Sequence, residues 1–134
     1  YARIDVPGGS VSAVSVTNAV GVVRLDQEAS AIQRQLLATI APSNPGENTT
    51  LIVVMTDLPL DRDALYRLAI SAHDGMTRAI VPCHTVSDGD VVFAVALNEV
   101  PGSPPISPAL SIAAEIAVES SIRNAVIAAR ANVR

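Results

Sequence analysis

The chain is 134 residues long, with 49% hydrophobic residues and a formal net charge of −4, enough for one domain around a buried core. Its basic residues are all arginine and do not cluster. With one Phe, two Tyr and no Trp it also lacks the positive footprint and stacking surface of a nucleic-acid binder.

No apolar stretch reaches the roughly 18 residues of a bilayer span. Glu115, Glu119 and Arg123 interrupt the apolar C-terminal segment, so a soluble protein with no membrane partner is expected. The single cysteine, Cys83, leaves no internal disulfide and fits a reducing, cytoplasmic setting. The chain opens on Tyr1 rather than methionine, which fits an upstream portion removed or left out.

In chain order, residues 11–17 alternate apolar and small polar side chains with a period of two, the pattern of a half-buried strand. Residues 18–23 continue it or form a second short strand. Residues 27–40 carry Ile32, Leu36 and Ile40 at four-residue spacing and predict a helix. Residues 41–47 combine two prolines, a glycine and polar side chains, which excludes both a helix and a central strand and predicts an exposed loop. Residues 50–56 then read as a buried strand.

Asp61 is placed to cap a helix whose apolar face is Leu65, Leu68, Ala69, Ala72 and Met76, and Gly75 within it points to close backbone packing. Residues 91–96 are continuously apolar and predict a strand central in a sheet covered on both faces. Ser107-Pro108 is a cap followed by proline at the first helical position, opening an alanine-rich helix from Ala109 to about Ala131. Strands with helices on both faces give a layered α/β or α+β domain.

Two segments carry candidate chemistry. Asn48-Thr49-Thr50 puts hydroxyl residues at the threshold of a strand, directly after a Pro/Gly loop. A threonine hydroxyl needs an adjacent base, and the nearest is its own α-amine, which exists only if the Asn48-Thr49 bond is cut. Such an amine ordinarily titrates at about 7.7 to 8.0, so it accepts a proton near neutrality. The same tripeptide also fits an Asn-x-Thr glycosylation acceptor or a plain turn.

The second segment, residues 83–90, ends in Asp88-Gly89-Asp90, where two carboxylates can converge if Gly89 bends the chain; they could orient an ammonium group, or simply form a solvated turn. His73, Asp74, His84, Asp88 and Asp90 are also metal donors, although they match no helical His-Glu-x-x-His or calcium-loop spacing. His73 otherwise reads as a polar or interface position, and Cys83 and His84 as residues lining the turn. Residues 8–12 do not match the Gly-x-Ser-x-Gly elbow of a serine hydrolase.

Three blocks in order, residues 48–57, 72–80 and 82–94, together resemble the β-subunit of the DmpA-type self-processing aminopeptidases and amidases, nearest their nylon-oligomer hydrolase branch. The resemblance implies an α-β-β-α sandwich, self-cleavage between Asn and Thr, oligomeric assembly and no cofactor. It implies residues 1–48 as the end of the α-portion and residues 49–134 as the β-subunit-like portion of a single domain.

Position by position, Thr49 matches the nucleophile, Asn48 the residue whose carbonyl it attacks in maturation, and Asp88 and Asp90 the aspartate pair that orients it. Residues 16–21 are similar to the stretch holding the family's active-site asparagine, so Asn18 would polarise the scissile carbonyl or hold the threonine. Family members have a longer α-portion, and their active-site lysine has no counterpart here.

The expected activity is hydrolysis of a small peptide, β-peptide or amide oligomer. Three other classes stay open: an uncleaved assembly subunit, a small-molecule binding module on the same fold, and a metal-dependent hydrolase using Asp88 and Asp90.

Overall fold

The computed structural model describes residues 1–26, 28–39, 44, 47–98 and 105–132. Helices and strands are mixed, and the described residues build one main sheet with helices on one of its faces. The sheet has the strand order β1 (Ala2–Val6), β2 (Gly9–Asn18), β4 (Thr49–Thr56), β6 (Val91–Ala96). β2 pairs antiparallel with both β1 and β4, and β6 runs parallel to β4. Two short strands, β3 (Val22–Val23) and β5 (Ile80–Val81), pair separately.

β1 and β2 form a hairpin because Pro7-Gly8 supplies the turn. Proline fixes φ at the first central position, and Gly8 takes the positive φ of 86° that the next position of a type II turn requires. Alternation then sorts the strands into two faces. Val11 and Ala13 of β2 and Ile52 and Val54 of β4 point to one side and are fully buried.

That side is covered by α2 (Arg62–Ala79) and α3 (Pro108–Asn132), which pack on each other and on the sheet. Asp61 caps α2 as its sequence suggests, accepting from the Ala64 N–H at 2.9 Å. Ser107 does the same for α3, accepting from the Leu110 N–H at 3.2 Å. The seam between the helices is tight, because α3 offers Ala113, Ala114 and Ala117 and α2 offers Ala72 and Gly75. α1 (Ala29–Thr39) lies beside β5, with Ile32 buried. The predicted ends of α1 at Gln27 and Ile40, and most of the predicted Pro/Gly loop, lie outside the described residues.

Two sequence expectations differ from the fold. β6 has the predicted bounds but is an edge strand, not a central one, and Phe93 on its outer face is 57% exposed. A continuous apolar run fits a strand apolar on both faces and does not reveal which face is covered among the residues at hand. β1 has no counterpart among the predicted elements, although Ile4 and Val6 alternate with Arg3 and Asp5 as a strand requires.

The outer face of the sheet also exposes Val14, Val16, Leu51 and Val95. Among the described residues no helix is long and apolar enough to cross a membrane.

A Cβ at Gly75 would collide with the Glu115 backbone carbonyl across the helix seam, and backbone has no rotamer with which to yield. Gly75→Ala is therefore expected to destabilise the fold by about 1–3 kcal/mol, despite alanine's better helix propensity. A urea titration of parent and variant checks this as a lowered midpoint.

Candidate active site

The Asn48-Thr49 peptide lies at the entrance of β4, between β2 on one side and the turn before β6 on the other. Thr49 is in register with Asn18, and Asn48 forms an isolated parallel bridge to Asp88. The Gly89 N–H donates to the Asn48 carbonyl at 2.6 Å. In a planar trans peptide the C=O and the N–H point opposite ways, so the Thr49 N–H faces the β2 side.

Alternation also separates the two candidate hydroxyls. Thr50 is fully buried and faces the helices, whereas Thr49 is half-buried and shares the outer face with Leu51.

The carboxylates fasten three chain segments together. One oxygen of Asp90 accepts from the Thr50 N–H at 2.8 Å. The other accepts from the His84 N–H at 3.2 Å and the Cys83 thiol at 3.5 Å, and lies 3.0 Å from the His84 Nδ1. The Asp90 side chain is only 3% exposed, so these bonds replace its water.

Asp88 accepts from the Val20 N–H at 3.2 Å through one oxygen, and from the Thr85 N–H and hydroxyl at 3.0 and 2.7 Å through the other. Asn18 Nδ2 donates to the Glu47 carbonyl at 3.3 Å, one residue upstream of the junction. Thr49, Asn48, Asn18, Asp88 and Asp90 are thus gathered around one peptide. Both carboxylates are engaged with backbone N–H groups, and within the threonine pair Asp90 holds the N–H of Thr50 rather than that of Thr49.

Spacing alone does not flag His84 as a working part. It sits at a left-handed φ of 56°, uncommon for a histidine, which lets both its backbone and ring nitrogens reach Asp90. Its Nε2 lies 3.3 Å from His73 Nδ1 on α2. Burial lowers the His73 pKa, and the neighbouring His84 adds to this, partly opposed by Asp90 and Asp74. Gly89, too, reads from the sequence only as a bend. Its signal is the bridge itself, which pairs residues far apart in the chain.

Of the donors weighed for a metal, His84 and Asp90 come together with Cys83, their ligand atoms within 4.8 Å of one another. This set mixes S, N and O and suits a borderline ion such as zinc. Asp88 is turned to Val20 and Thr85 instead.

The profile of peptidase family S58 matches residues 3–133, nearly the whole chain. The chain belongs to peptidase family S58. Among its relatives is an uncharacterised aminopeptidase of Mycobacterium tuberculosis, 46% identical over 66 residues, which are 49% of this chain and 19% of the relative. One from Mycobacterium leprae is 51% identical over 53 residues, 40% of this chain and 15% of the relative. A 6-aminohexanoate-oligomer endohydrolase of Paenarthrobacter ureafaciens is 32% identical over 68 residues, 51% of this chain and 19% of that enzyme. Each match therefore spans a fifth or less of the relative's length.

Burial pushes the Cys83 thiol up to about 12, helped by the adjacent Asp90 charge and its hydrogen bond. A thiol so placed is almost wholly protonated at pH 8. Allowing for the greater intrinsic nucleophilicity of a more basic thiolate, its exchange with a small disulfide reagent should be roughly 50-fold slower than in the unfolded chain. Stopped-flow thiol titration with and without denaturant checks this, and Asp90→Ala should narrow the gap.

Proposed function

We infer that this chain is a self-processing amide hydrolase in which Thr49 attacks the Asn48 carbonyl and, once freed, serves as an N-terminal nucleophile. The observation that carries the reading is the extended Asn48-Thr49 peptide, with Thr49 on the open outer face between Asn18 and the Asp88-Gly89-Asp90 turn. The expected products of maturation are one fragment ending at Asn48 and one beginning at Thr49.

In turnover the Thr49 hydroxyl attacks the substrate carbonyl, its own α-amine relays the proton to the leaving amine, and water hydrolyses the ester. Asp90 fixes the strand at Thr50, and Asp88 fixes the β2 exit at Val20, so the nucleophile and Asn18 keep their spacing.

Family membership and the names of the relatives support a peptidase or amidase acting on small peptides or amide oligomers. The uncovered outer face, where Val16 is 66% exposed, supports a second sheet packing there in an α-β-β-α sandwich. Assembly into homo-oligomers belongs to the same reading.

A metal-dependent hydrolase has one observation in its favour, the Cys83, His84 and Asp90 set. Against it, the shared Asp90 oxygen already accepts from the Cys83 thiol and the His84 N–H.

Denaturing mass spectrometry of the incubated protein is expected to show breakage after Asn48, abolished in Thr49→Ala, retained in Thr49→Ser and untouched by exhaustive chelation. An intact parent chain would contradict the reading. Loss of cleavage on chelation with rescue by zinc would favour the metal.

A further inference from the structure

We propose that the backbone N–H of Gly89 is the oxyanion donor of self-cleavage, a role that rests on the processing reading above. Asn18, expected to polarise the scissile carbonyl or hold the threonine, directs its amide to the Glu47 carbonyl at 3.3 Å. The Asn48 oxygen itself receives the Gly89 N–H at 2.6 Å, in the Asn48–Asp88 bridge.

In the first step the Thr49 Oγ1–C bond to Asn48 forms, and the carbonyl π electrons move onto the Asn48 oxygen. Collapse of that intermediate breaks the C–N bond, and the proton lost from Oγ1 ends on the Thr49 nitrogen. Water then hydrolyses the ester, giving the Asn48 carboxylate and returning a proton to Oγ1.

Charge therefore builds and falls on the one oxygen that Gly89 faces. A donor already in place needs no reorganisation as that charge appears. The bond's neighbours on both sides hold it still. Asp88 is tied to Val20 and Thr85, and Asp90 to Thr50, so the turn carrying Gly89 cannot slide along β4 without breaking these part-buried bonds. Once residues 1–48 separate from Thr49, the same N–H faces whichever acyl carbonyl takes the Asn48 position.

The test replaces the Gly89 N–H with oxygen by installing glycolate at that position, joining a synthetic segment at the sole cysteine, Cys83. Self-cleavage of the folded full chain is followed by mass spectrometry. The ester analogue should cleave roughly 100- to 1000-fold more slowly than the all-amide chain assembled by the same ligation, the cost of removing one oxyanion donor. An ester analogue that keeps pace with a cleaving parent overturns the Gly89 assignment and leaves Thr49 as nucleophile.

Amide exchange in uncleavable Thr49→Ala supplies a second reading that does not depend on cleavage. The Gly89 N–H should be strongly protected, and exchange at the rate of an open loop would refute the proposal.

Discussion

The buried carboxylate of Asp90 is the constraint on which the candidate site depends. It has left water almost entirely, so each lone pair must find a donor or the fold carries its desolvation cost. One oxygen takes the Thr50 N–H of β4, and the other gathers His84 and Cys83 from the loop after α2. Breaking any one of these would leave a buried charge undersatisfied, worth about 1–3 kcal/mol per lost bond. The mouth of the β4–β6 ladder, the left-handed His84 and the alignment of Gly89 with Asn48 all follow from satisfying this one group.

The sheet and helix layer explain why the junction can be rigid and yet reachable. On the helix side, Ile52, Val54 and the alanine-lined seam of α2 and α3 are packed without slack, and they fix β4 along its length. On the other side the sheet is open, and Thr49 belongs to that side by simple strand parity. The Thr50 hydroxyl is equally close in sequence but buried on the helix side. The Asn48 carbonyl is turned toward Gly89 and the Thr49 nitrogen toward β2, so the two ends of one peptide bond face different chain segments.

Much of the scaffold was legible because its signals are local. The period-two pattern of β2, the Asp61 cap, the Gly75 seam and the Ser107-Pro108 start are each written within a few residues and each appear in the structure. The gathering of Asn18, Asn48, Thr49, Asp88 and Asp90 could be anticipated only by resemblance, since spacing says nothing about residues in three separate chain segments. What escaped was non-local or conformational. The partners of Asp88 are Val20 and Thr85, the ring of His84 meets His73 on α2, and no sequence pattern encodes a left-handed histidine. β6 at the sheet edge escaped for a different reason, because an apolar run reports what a strand can bury and not what lies beside it.

If Asp90 positions the Asn48-Thr49 junction for the proposed self-cleavage, the cleavage rate of Asp90→Asn, read by mass spectrometry on folded protein, reports it most directly. The substitution keeps the side-chain shape and removes the charge that faces three donors. A displacement of about 1 Å at the junction costs on the order of 100-fold in rate, so cleavage should slow by that much while far-UV circular dichroism stays that of the parent. A folded Asp90→Asn chain that cleaves as fast as the parent would contradict the account.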